Sequence, residues 1–194
     1  MMKSKVLSLL ALVLFVGQSV AQKYIIDSSH SSVQIQVERF GVVDVVGRFK
    51  DVSGSISYNA ADASKTTADA TIKVASYDAN NPGGEDAVKS KAFLDAATYA
   101  EISFKSKGVA TRNGQNTLTG DLTIHGVTNE VELPFTVKGP LLDLPTRKQS
   151  ISAKASITIN RQDYGISFDR KLPNGASIVG NDVQITLIIL ALAE

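Results

Sequence analysis

The sequence predicts an all-β fold, an antiparallel sandwich or barrel of about eight or nine strands with one or two short helices. Three observations predict it. Stretches of apolar–polar alternation recur through the chain, the period of strands whose successive side chains point to opposite faces of the pleat. Turn signals separate these stretches at intervals of about eight to fifteen residues. The βαβ rhythm of a parallel fold is missing.

The first 21 residues stand apart. Lys3 and Lys5 form a short basic region, residues 6–16 are apolar, and Ser19-Val20-Ala21 has the small–x–small form of a cleavage site. This is the pattern of a secretory signal peptide, and its apolar run is too short to span a bilayer as a helix. Residues 22–194 then form one domain, periplasmic or secreted. Loss of the two lysines takes the formal charge from +1 to −1. A near-neutral chain of mixed charge lacks the basic footprint of a nucleic-acid binder. With no cysteine, disulfides and thiol chemistry are excluded. A domain of this length is stable through burial alone.

Taken in order, Tyr24-Ile25-Ile26 and then Val33, Ile35 and Val37, opposite Gln34, Gln36 and Glu38, form the first strand region. A serine-rich turn around His30 divides it. Residues 40–46 are apolar without clean alternation and read as a short helix or a covering loop. Val52, Ile56 and Tyr58 mark a strand, residues 59–65 a polar turn, and Ala68, Ala70, Ile72 and Val74 another strand. Asn80-Asn81-Pro82-Gly83-Gly84 is the strongest chain break. Residues 85–96 read as a short helix with acids in its first turn, where the dipole favours them. Val88, Ala92 and Phe93 form its apolar side. Ile102 and Phe104 belong to a strand over residues 101–109.

The most regular stretch follows. Leu118, Leu122 and Ile124 alternate with Thr119, Asp121, Thr123 and His125. Val131, Leu133, Phe135 and Val137 alternate with Glu130, Glu132, Thr136 and Lys138. Residues 125–129 close this hairpin. Residues 139–147 read as a loop. Ile151, Ala153, Ala155, Ile157 and Ile159 form the next strand, residues 161–180 are irregular, and Val183, Ile185, Leu187 and Ile189 form the last. Residues 187–192 are apolar on both faces, which predicts outside cover by another element or subunit.

Enzyme signatures are weak. Two histidines without cysteine show no metal-ligand spacing. His30 and Ser31 are neighbours in sequence, no Gly-x-Ser-x-Gly elbow is present, and His125 sits beside a tight loop where a structural role is the default. Pairs among 19 acids arise by chance, and Pro82-Gly83-Gly84 lacks the Lys-Ser/Thr of a phosphate loop. What remains is the apolar face of the strands. An eight-stranded barrel either fills its interior with side chains or holds one small ligand. An inverted, membrane-spanning barrel is disfavoured, with no tryptophan and no aromatic girdle.

Six motifs in order resemble the YceI-like family. They are residues 24–31 (YIIDSSHS), Gly47-Arg48-Phe49, residues 85–106 (EDAVKSKAFLDAATYAEISFKS), residues 120–128 (GDLTIHGVT), residues 160–165 (NRQDYG) and residues 179–183 (VGNDV). The resemblance spans nearly all of the mature chain. It implies an antiparallel eight-stranded lipocalin-like barrel, often a homodimer, with a long cavity for one amphiphile. That ligand would be a polyisoprenoid, an isoprenoid quinone or a fatty-acid-like lipid. No catalytic residue, and no cofactor besides the bound lipid, is implied. Two departures are Arg39, where the family commonly has histidine, and Ala100, where it commonly has proline.

The inward set is then the expected lining: Val33, Ile35, Val37, Ile72, Val74, Phe104, Leu122, Ile124, Leu133, Phe135, Ile157 and Ile159. Phe49, Phe93 and Phe168 are expected to narrow the cavity or its entrance. Arg39 and Arg161 are the expected head-group partners. Two other readings stay open. One is a filled barrel that docks to a protein partner through residues 187–192. The other is an enzyme acting on a lipid, with His30 or His125 beside an acid in the cavity.

Overall fold

The computed structural model describes residues 21–194. The expected signal peptide lies outside the described residues, except for Ala21. The strands are β1 (Gln22–Ile26), β2 (Ser32–Arg39), β3 (Val43–Phe49), β4 (Val52–Tyr58), β5 (Thr67–Lys73), β6 (Tyr77–Asp78), β7 (Glu101–Arg112), β8 (Gln115–Ile124), β9 (Val127–Leu142), β10 (Gln149–Asn160) and β11 (Val179–Ala193). The α-helix α1 is Pro82–Lys89.

The expected antiparallel eight-stranded barrel is the observed one. Its ring runs β1-β4-β5-β7-β8-β9-β10-β11 and returns to β1. On the edge opposite β10, strand β11 serves two partners. Its last residues pair with β1, Tyr24 opposite Ala193, and its earlier part with β2, Ile35 opposite Ile185. A 3-10 turn at Ser28–His30, capped by the Asp27 carboxylate accepting from the Ser29 N–H, separates β1 from β2. From β2 the sheet continues as an arm, β2-β3-β6, which leaves the ring.

Local chemistry explains where elements differ from the sequence expectation. Residues 40–46 are neither helix nor loop but the turn and start of a β2–β3 hairpin, with Phe40 and Gly41 both left-handed at φ 60° and 66°. Val42 and Val46 stay 85% and 55% exposed there, so no polar face interrupts the run. Helix α1 begins earlier than residue 85 because Asn81 caps it, accepting from the Gly84 N–H, and Pro82 fits the first turn. It stops at Lys89. The Ser90 hydroxyl donates to the Ala87 carbonyl, and Asp95, at φ 43°, reverses the chain. Ala92 is exposed, not apolar packing, and Leu94 is buried instead. Val74 has left β5 for a 3-10 turn. Strand β9 runs on through Pro140 to Leu142, where a loop was expected.

The β8–β9 turn is tighter than residues 125–129. Ile124 pairs with Val127, so only His125 and Gly126 turn, at φ 50° and 77°, as a two-residue hairpin with this twist requires. His125 is therefore a turn residue. Its ring lies 4.4 Å from that of Tyr99.

The interior divides in two. Leu118, Leu133 and Phe135 form one packed cluster, joined by half-buried Phe104, Val109 and Ile157. Gly120 permits it, since a Cβ there would lie 2.6 Å from the Phe104 ring. The larger cluster holds Tyr24, Val33, Phe49, Val52, Ile72, Ile124 and Ile151 among others. The outward Ile188, Leu190 and Leu192 are half-buried, and Leu192 lies opposite Ile25, itself 39% exposed.

Candidate ligand-binding site

Between the arm and the ring lies a hollow of about 710 Å³. This is within the ~300–1,000 Å³ range of small-molecule sites. The strand registers build its walls. On the arm, Val33 lies opposite Phe49, Ile35 opposite Gly47 and Val37 opposite Val45. Gly47 has no side chain because Tyr77 lies over it, and a Cβ there would sit 2.1 Å from the tyrosine oxygen. The Phe49 and Tyr77 rings are 5.3 Å apart. On β11, Val183 and Ile185 continue the same face beside Val37 and Ile35. Across the gap stand Ile72, Ile102, Leu122 and Ile124. Helix α1 and the turns after it supply Gly83, Gly84, Ala87, Val88, Phe93 and Leu94. Ile166, Phe168, Ile178 and Val179 add further wall, and Arg39, Asn81 and Arg161 also border the hollow.

Of the residues expected to line a cavity, Val33, Ile35, Val37, Phe49, Ile72, Phe93, Leu122, Ile124, Ile159 and Phe168 border this one. Phe104, Leu133, Phe135 and Ile157 do not. They pack against each other at the filled end of the barrel. Val74 is 1% exposed and belongs to the larger core cluster rather than to the wall. Sequence reasoning missed Tyr77, Leu94, Ile166, Ile178 and Val179, which lie in short or irregular segments without periodicity. Val183 and Ile185 carried a strand signal and could have been found by their register with β2.

The two expected head-group arginines sit very differently. Arg39 is exposed at the rim, its guanidinium 3.9 Å from the centre of the Phe40 ring. Arg161 is 5% exposed. Its Nε donates to the Gly180 carbonyl at 3.0 Å and its Nη1 to the Ile166 carbonyl at 2.5 Å. Its Nη2 donates to the Phe168 carbonyl at 2.6 Å and to Asn181 Oδ1 at 2.8 Å. Four of the five N–H groups of a guanidinium are thus taken by the chain itself. Arg161 also borders the hollow, and these bonds tie it to the loop that forms one cavity wall. Burial pushes its pKa down, and Asp169 opposes that shift.

Neither histidine borders the large hollow. His30 Nδ1 is 2.7 Å from Asp27 Oδ2, with the His30 side chain 70% exposed and away from the hollow. The hydrogen bond that His30 Nδ1–H donates to the Asp27 carboxylate raises the His30 pKa and lowers that of Asp27. His125 borders a second, smaller hollow of about 190 Å³. Among the described residues no group of three His, Cys, Asp or Glu is arranged to hold a metal ion.

An eight-stranded ring with one end packed and an apolar chamber beside it defines a barrel of the lipocalin-like class. The chain belongs to the YceI-like domain family, whose match covers residues 24–191. A UPF0312 protein of Pseudomonas fluorescens is 34% identical over 179 residues, 87% of this chain and 90% of that protein. A UPF0312 protein of Staphylococcus aureus is 31% identical over 158 residues, 81% of this chain and 90% of that one. The crystal structure of Burkholderia cenocepacia BcnA superposes with a TM-score of 0.74 at 28% identity, covering 86% of this chain and 99% of that one. A polyisoprenoid binding domain from Saccharophagus degradans, implicated in plant cell wall breakdown, gives a TM-score of 0.68 at 15% identity, over 90% of this chain and 99% of that one. At that identity the likeness is one of fold.

Proposed function

We propose that this protein is a secreted or periplasmic carrier that shelters the apolar chain of one amphiphile, and that it is not an enzyme. The observation that carries the reading is the hollow of about 710 Å³ walled by Val, Ile, Leu and Phe side chains. Sheltering a chain there removes it from water. At ~0.8 kcal/mol per buried methylene, about ten methylenes supply on the order of 8 kcal/mol before ordering costs. The polyisoprenoid binding named for the Saccharophagus degradans neighbour supports a long-chain isoprenoid as the ligand, and an acyl lipid meets the same walls equally well. The leader pattern of residues 1–21 supports export. Among the described residues no helix is long and apolar enough to cross a membrane. The test is organic extraction of the purified protein followed by mass spectrometry, with uptake of added prenyl and acyl alcohols. One lipid per chain is the expected result. No extracted lipid and no uptake would end the carrier reading.

A further inference from the structure

The smaller hollow, about 190 Å³, differs in kind from the large one. It lies at the end of the barrel formed by the β8–β9 turn and by the loop after β10. The two hollows share Phe93, Ile166 and Phe168 as walls. The Phe93 and Phe168 rings, 4.9 Å apart, border both. The polar residues of the large hollow, Arg39, Asn81 and Arg161, do not border the small one. Lys91, His125 and Ser167 border the small hollow. Among the described residues no carboxylate does.

The carrier reading leaves a physical problem that this arrangement answers. An amphiphile whose tail fills the large hollow must keep its head hydrated or hydrogen-bonded, because a bare polar group among Val and Ile is costly. The buried cation at the cavity wall does not help, since Arg161 spends its donors on backbone carbonyls and on Asn181. Two of those carbonyls belong to Ile166 and Phe168. Arg161 is therefore a positioning residue for the wall that both hollows share.

Resting on the carrier reading, we infer that the small hollow is a head-group subsite for an anion, a carboxylate or a phosphate, with Lys91 as its charged donor and His125 and Ser167 beside it. The tail occupies the large hollow and the head lies past the Phe93–Phe168 pair. A lysine and a serine bordering one small space with no carboxylate among its lining residues are complementary to an oxygen-rich anion. Lys91 is exposed and lies in a turn beyond α1, so it can be replaced without touching the core.

The experiment compares three probes with one chain and different heads: oleyl alcohol, oleate and oleyl phosphate. Uptake is measured on the wild-type protein and on Lys91→Ala, Lys91→Glu and Ser167→Ala. The wild type is expected to prefer the anions, and the favoured anion separates a carboxylate from a phosphate source. Lys91→Ala is expected to cost about tenfold in anion affinity, the worth of one charge-assisted hydrogen bond. Lys91→Glu is expected to reverse the preference. Thermal unfolding close to that of wild type shows that these variants fold, and oleyl alcohol, which offers Lys91 no charge, is expected to lose less affinity than either anion. Equal affinity for all three probes, or an anion preference that survives in both Lys91 variants, overturns the inference and leaves the carrier reading standing. Failure of the wild type to take up oleyl alcohol or either anion overturns both.

Discussion

Replacing Arg161 by alanine removes four donors from a place that water scarcely reaches. Hydrogen bonds to a charged group are worth ~1.5–3 kcal/mol each, so the gross loss is about 6–12 kcal/mol. Against this, the folded state no longer buries a guanidinium, which recovers several kcal/mol. A net destabilisation of about 3 kcal/mol remains, close to the cost of breaking a buried charged network. For a domain of this size ~2–4 °C accompany each kcal/mol, so Tm should fall by about 6–12 °C. Arg161→Lys keeps the charge but offers three donors from one point rather than a planar fork, and should recover only part of the loss. Thermal and urea unfolding read the stability, and uptake of oleyl alcohol reads the cavity. Because the guanidinium holds the Ile166 and Phe168 carbonyls, uptake should weaken for neutral and anionic probes alike. An alanine variant within about 0.5 kcal/mol of wild type, the usual range for a replaceable surface residue, that loses only anion uptake would refute the positioning role. It would restore Arg161 as a head-group ligand.

Three other predictions separate packing from lining, test a backbone contact and read a surface ion pair. Phe135→Ala, at the filled end, should cost ~3–5 kcal/mol and leave lipid uptake unchanged, whereas Ile35→Ala, on the hollow, should cost less than ~2 kcal/mol and weaken uptake. Similar unfolding losses for both would show that the hollow is filled in solution. Gly54 sits at φ +135° with a Cβ position 2.0 Å from the Asp69 carbonyl oxygen, so alanine there must break the β4–β5 pairing. A loss of about 3 kcal/mol or more is expected, against less than ~1 kcal/mol for Gly108→Ala, which meets nothing within 4 Å. The Asp27–His30 pair gives a pH window. Asp27, held below its ordinary 3.8, contributes fully above that value and is lost as pH falls through its lowered pKa. His30, held above its ordinary 6.5 by Asp27 and further by Asp143, contributes fully below that value and is lost as pH rises through its raised pKa. The pair therefore stabilises most between 3.8 and 6.5, and His30→Gln should flatten the decline of stability above 6.5. An unchanged profile in that variant would sink the assignment.

Alternation along a strand is a local property, and it was enough to locate the strands. Ile151 to Ile159 alternate with serine, lysine and threonine, and those residues form β10 with the expected face inward. The motifs around Gly47, His125 and Arg161 likewise pointed to the family from residue order alone. Local signals also failed locally. The cap at Asn81 moved α1 toward the N-terminus, and a two-residue turn drew His125 out of its strand.

Ile124 and Phe135 show where sequence alone stops. Both lie on the inward face of one hairpin, with the same alternation and similar hydrophobicity. Ile124 borders the hollow, while Phe135 is packed among Leu118, Leu133 and Phe104. Period two records which side of a strand a residue occupies but not how far away the opposite wall stands. That distance is set where β2, β3 and β6 leave the ring and α1 spans the gap, by contacts between segments far apart in the chain. The two arginines divide for the same reason. Arg39 and Arg161 are one residue type, and only the folded chain brings four acceptors around Arg161 while leaving Arg39 at the rim in water.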